Sequence, residues 1–108
     1  MVGGITGASD YGTIESATNT AAVKSSSYWI GGITGYVASA TITSAINSGA
    51  VSVTAASQQI GGIAGAISGT VTIKNNTNKG AITSSSASSF IGGIIGHVYS
   101  STAAKSVY

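Results

Sequence analysis

The chain has no cysteine, no proline and no arginine, and its charged residues are four lysines, Asp10 and Glu15 among 108 positions. Without cysteine there can be neither a disulfide nor a thiolate metal site. Lys24, Lys74, Lys79 and Lys105 are scattered, whereas a nucleic-acid binder carries a basic patch, so nucleic acid is not an expected partner. No apolar run approaches the roughly 18 residues of a membrane-spanning helix. No basic start followed by an apolar core marks a signal peptide, which leaves a mature form, a fragment or an intracellular protein. Charged residues make up 6% of the chain, against about 25% in an average soluble domain. Serine and threonine take over the solvating role that charges usually have.

The same poverty limits chemistry. His97 is the single histidine, and a metal site normally needs three or four convergent ligands. Asp10 and Glu15 lie in one stretch whose Asp10-Tyr11-Gly12 reads as a turn, so they are surface residues rather than a glycosidase pair. There is no G-x-S-x-G elbow, no G-x-G-x-x-G and no Walker lysine. No enzyme activity, cofactor or metal is expected.

Glycine is what the chain has in plenty, with 16 residues placed at regular intervals. Val2-Gly3-Gly4-Ile5-Thr6-Gly7 returns as Ile30-Gly31-Gly32-Ile33-Thr34-Gly35, as Ile60-Gly61-Gly62-Ile63-Ala64-Gly65 and as Ile91-Gly92-Gly93-Ile94-Ile95-Gly96, with starts 28, 30 and 31 residues apart. A period of that size indicates a solenoid or repeat array. The chain divides into repeats 2–29, 30–59 and 60–90 and a partial repeat 91–108, all within one domain, 1–108. After the glycine doublet come a second isoleucine (Ile14, Ile42, Ile73), then Asn19, Asn47 or Asn78, then Ala21, Gly49 or Gly80, then Val23, Val51 or Ile82.

Each repeat holds three short apolar segments, exemplified by 33–37, 41–46 and 49–54, which alternate with period two and favour β-branched residues. The expected fold is all-β: a β-solenoid of about three and a half coils of 28–31 residues, with three short strands per coil. A sandwich would explain the strands but not the recurring columns. Ile33, Gly35, Val37, Ile42, Ser44, Ile46, Val51 and Val53 should face the core, and Thr41 and Thr43 the solvent. Ile5, Ile33, Ile63 and Ile94 should form one row. The recurring Asn and Gly suit left-handed turns, and Asn19, Asn47 and Asn78 can also form a hydrogen-bonded ladder. The doublets Gly3-Gly4, Gly31-Gly32, Gly61-Gly62 and Gly92-Gly93 should turn a corner or admit a neighbouring side chain.

The pattern Ile-Gly-Gly-Ile-x-Gly, then Ile, then Asn-x-Gly-x-Val resembles the GLUG motif repeats of surface-exposed bacterial proteins. The second and third repeats carry it in full, the first has Ala21 in place of a glycine, and the fourth keeps only the glycine segment. The resemblance implies a spacer or binding array, as in adhesin-like and immunoglobulin-A-peptidase-like proteins, located outside the cell or on its surface. It carries over no catalytic residue.

Two surface columns stand out. Thr13, Thr41 and Thr72 recur, but the residues two positions on are Glu15, Thr43 and Lys74, so the regular pair of threonine columns suited to ice is missing and a solvated β-face is expected. Met1, Trp29, Gln59 and Phe90 precede the doublets. Aromatics there, with Tyr28 and Tyr108, are the candidate contact surface, packed under a loop, against another chain or on sugar rings. Neither end carries the charge, proline or helix that blunts a sheet edge. The tail Ala103-Ala104-Lys105-Ser106-Val107-Tyr108 resembles the lead-in Ala21-Ala22-Val23-Lys24-Ser25, so a second copy's Val2 placed after Tyr108 would continue the repeat. The chain thus reads as a structural subunit whose copies stack into a filament, or as a repeat segment of a longer adhesin that spaces a tip or contacts a glycan or protein.

Overall fold

Glycine and β-branched residues interrupt every helical window, so strands are the regular structure left to this chain. A computed structural model of the protein describes residues 1–26, 28–54, 59–84 and 90–99 and the backbone of 105–107. The first coil holds β1 (Val2–Gly3), β2 (Thr6–Asp10), β3 (Thr13–Glu15), β4 (Thr18–Asn19) and β5 (Val23–Ser25). The second holds β6 (Trp29–Gly31), β7 (Thr34–Ala38), β8 (Thr41–Thr43), β9 (Ile46–Asn47) and β10 (Val51–Val53). The third holds β11 (Gln59–Gly61), β12 (Ala64–Ser68), β13 (Val71–Lys74), β14 (Thr77–Asn78) and β15 (Ile82–Ser84), and β16 (Phe90–Gly92), β17 (Ile95–Val98) and β18 (Lys105–Val107) follow.

Every strand pairs in parallel with its equivalent one coil away, giving five sheets: β1-β6-β11-β16, β2-β7-β12-β17, β3-β8-β13-β18, β4-β9-β14 and β5-β10-β15. Val2 pairs with Ile30, Ile30 with Ile60 and Ile60 with Ile91, which is the spacing of the sequence repeat. The fold is a β-solenoid. A full coil has five short strands rather than three, because the glycine doublet sets off a strand before it and a left-handed residue splits the second segment.

Two columns of left-handed residues make corners: Tyr11, Ser39 and Gly69, and Ser16, Ser44 and Asn75. Asn19, Asn47, Asn78, Gly49 and Gly80 are not among them, so the recurring asparagines are strand residues and not turn residues. The corner at Ser44 (φ 55°) also shifts the inward phase. Ser44 is exposed and Ile46 half-buried, while Ala45 and Asn47 take the core positions. The third coil's extra residue falls between Ser68, which pairs with Ala38, and Thr72, which pairs with Thr41.

The core consists of two stacks. One holds Ile33, Val37, Ile42, Ala45, Ile63, Ile67 and Ile73. The other holds Val23, Ile30, Val51, Val53 and Ile60. Ile5, Ile33, Ile63 and Ile94 form a row linked by amide-to-carbonyl bonds, with Ile5 N–H donating to Ile33, Ile33 to Ile63 and Ile63 to Ile94.

The tail does not continue as the lead-in to a doublet. Val107 pairs with Ile73, which places β18 in the third sheet, two sheets short of the one that holds Val23, Val51 and Ile82. Backbone pairing with β13 outranks the short likeness in composition.

Ile63 is wholly buried between two coils. Ile63→Asp would put an unpaired carboxylate into that stack, so the variant should lose the β-sheet circular dichroism of the native chain at 25 °C.

Candidate functional site

The glycine doublets and the asparagines prove to be two halves of one device. A Cβ on Gly4 would lie 2.5 Å from the Asn19 Cγ, and a Cβ on Gly32 or Gly62 would collide with the side-chain amide of Asn47 or Asn78. Asn19, Asn47 and Asn78 therefore each lie flat against a glycine of their own coil. Their amides are shared in two directions. Asn19 Nδ2 donates to the Ala21 carbonyl (2.8 Å) and to Asn47 Oδ1 (2.8 Å). Asn47 Nδ2 donates to the Gly49 carbonyl (2.9 Å) and to Asn78 Oδ1 (2.9 Å). Asn78 Nδ2 donates to the Gly80 carbonyl (3.1 Å).

The other recurring glycines follow from the same crowding. A Cβ on Gly49 would strike the Ala21 carbonyl and one on Gly80 the Gly49 carbonyl. Ala21, at the same place in the first coil, is exposed. The first glycine of each doublet closes a tight reversal: a Cβ on Gly31 would strike the Thr34 carbonyl. The last glycine of the hexapeptide lets the returning strand press on the outgoing one, since a Cβ on Gly35 would lie 2.6 Å from the Trp29 carbonyl and 2.6 Å from the Val2 nitrogen.

That reversal brings together the residues that flank the hexapeptide. Trp29 and Tyr36 stack with ring centroids 4.7 Å apart, and Phe90 lies 5.0 Å from His97. Between them in the third coil stand Gln59 and Ala66, which pair with Trp29 and Phe90, and with Tyr36 and His97, respectively. Tyr99 fills the space that this small pair leaves. Its ring meets His97 edge-on at 4.6 Å and Trp29 at 6.1 Å. Its hydroxyl accepts from Trp29 Nε1 (3.2 Å) and donates to Gln59 Oε1 (3.1 Å). The Tyr36 hydroxyl is hydrogen-bonded to Ser68. The cluster clasps the second, third and fourth coils along one wall.

Trp29 thus belongs to this cluster, while Phe90 (53%) and Tyr28 (72%) keep exposed faces. Tyr108 lies outside the described residues. Gln59 stands in the column that precedes the doublets, as the sequence marked it, whereas Tyr36 and Tyr99 were not singled out, although the position just after each hexapeptide was a legible signal for Tyr36. Tyr99 follows no repeat column. Among the described residues no three His, Asp or Glu converge to hold a metal ion, and no enclosed pocket is present. Thr13, Thr41 and Thr72 do align, but in a single column beside Glu15, Thr43 and Lys74. Compared with models of protein families, with curated proteins and with solved structures, the chain finds no match in any of the three.

Gly62→Ala should destabilise the protein by about 3 kcal/mol, the upper range for overpacking. Gly93→Ala, with nothing described within 4 Å of its Cβ position, should change stability by less than about 1 kcal/mol; urea denaturation of the two variants checks the contrast. Tyr99→Phe removes both clasp hydrogen bonds and should cost about 1–2 kcal/mol in the same assay.

Proposed function

We propose that the protein is a structural β-solenoid subunit whose copies stack end to end into a filament outside the cell. One observation supports this above the others: both terminal coils present core columns to solvent. Ile33 and Ile63 are fully buried, yet Ile5 in the same row is 49% exposed; Ile30 and Ile60 are fully buried, yet Ile91 is 53% exposed. These residues sit beside strand edges that no described strand covers, and such edges template the addition of another chain. Seating a copy's first coil on the fourth would bury Ile5 and Ile91 and extend the first three sheets. The fourth and fifth sheets would be left one strand short at the junction, because the described fourth coil contributes no strand to them. The placement outside the cell is supported by the resemblance to GLUG repeats alone.

A second reading, a repeat segment of a longer surface adhesin that spaces or binds, is favoured by the lateral aromatic cluster. Its exposed Phe90 and the exposed Tyr28 lie off the stacking axis, where a glycan or protein could meet them.

Electron microscopy and sedimentation of the purified chain decide between assembly and a lone unit. The four coils, at about 4.8 Å each, occupy the shortest of the 32 × 28 × 19 Å extents, so filaments should be about 30 Å wide. Ile5→Lys combined with Ile91→Lys should keep the circular dichroism and abolish assembly. Wild-type protein that stays monomeric at high concentration in salt overturns the stacking.

A further inference from the structure

The fold employs four of the chain's five asparagines. Asn19, Asn47 and Asn78 form the ladder against the glycines. Asn76 brackets the corner of the coil before it: its Oδ1 accepts from the Ala45 N–H (2.8 Å) and its Nδ2 donates to the Ile42 carbonyl (3.0 Å). Asn75 does neither. It is exposed, and its side-chain amide has no hydrogen-bond partner among the described residues.

Asn75 occupies the left-handed corner after β13, with φ 58°. Ser16 (φ 54°) and Ser44 (φ 55°) hold the same corner in the first and second coils, so the backbone there does not call for asparagine. Both serines are exposed. Ser44 has a paired coil on each side, so outward projection belongs to the corner and not to the place of Asn75 along the stack.

The sequence selects the same residue independently. Of the five asparagines, Asn75 alone has a hydroxyl residue two positions on, in Asn75-Asn76-Thr77. Asn-x-Thr is the acceptor pattern for N-linked glycosylation. Thr77 is exposed. Its N–H donates to the Ala45 carbonyl (2.9 Å), and its hydroxyl has no partner among the described residues. The asparagine that the fold leaves unused is thus the one that carries the acceptor pattern.

We propose that Asn75 is an N-glycosylation site whose co-substrate is an oligosaccharide carried on a lipid diphosphate. Asn75 Nδ2 forms a bond to the anomeric carbon as the bond from that carbon to the diphosphate oxygen breaks. The diphosphate leaves with the electron pair, and the amide nitrogen gives up one proton. The glycan stands off the side wall. The proposal rests on the placement outside the cell and not on stacking.

The test is expression of the full chain behind a cleavable secretory leader in a eukaryotic cell line, which supplies the secretory route whatever the native location. Protein recovered from the medium should show a single upward mobility step. Peptide N-glycosidase should remove it and leave aspartate at position 75, read by mass spectrometry. Asn75→Gln and Thr77→Val should each lose the step, whereas Asn76→Gln, which keeps the acceptor pattern, should retain it. The glycosylated protein should keep the circular dichroism of the unmodified chain. Secreted wild-type protein without the step overturns the proposal, as does a step that survives Asn75→Gln. Glycosylated protein that has lost its β-sheet spectrum overturns it as well, because a sugar on an outward corner does not disturb the core.

Discussion

The structure depends on an amide laid flat against a glycine. In each full coil an asparagine occupies the space that a Cβ would fill, and those of the first and second coils pass a hydrogen bond to the asparagine of the next. A buried amide left without partners costs about 1–3 kcal/mol, more than a typical satisfied bond contributes. The ladder therefore penalises misregister more than it rewards stacking. A slip of one residue would put asparagine over the hydrophobic stack and a β-branched side chain over glycine.

Apolar columns supply the bulk of the stability once that register is set. Ile30, Ile33, Ile42, Ile60, Ile63 and Ile73 are fully buried, and each contributes about 1.5–3 kcal/mol of burial. Because each coil covers its neighbours, the end coils are the ones with uncovered columns, at Ile5 and Ile91. The aromatic clasp acts differently. It is irregular, with Trp29 and Tyr36 in one coil, Gln59 and Ala66 in the next and Phe90 and His97 in the last. It secures the fourth coil to the second and third through Tyr99 rather than repeating along the wall.

Much of the fold was legible because stacking forces equivalent residues into equal environments. The recurrence of Ile33 and Ile63, and of Asn47 and Asn78, is that equality written along the chain. What misled was assigning asparagine and glycine to turns. The left-handed corners are held by Tyr11, Ser16, Ser39 and Ser44 as well as by Gly69 and Asn75, so residue type does not mark them. Missing the corner at Ser44 carried the alternation one residue too far and put Ser44 inside in place of Ala45. The tail was misplaced for a related reason: a short likeness in alanine, lysine and serine weighs less than the hydrogen bonds that draw β18 onto β13.

By itself the sequence determined that this chain is a parallel stack of coils, since only residues brought into register need to repeat at 28 to 31 positions. It determined which residues form the columns. Only the tertiary structure decided which of the recurring residues touch. That glycine and asparagine occupy each other's space and that Trp29 meets Tyr36 are facts of chain reversal and coil stacking. They join positions far apart in sequence, where periodicity reports equivalence between coils but not contact within one.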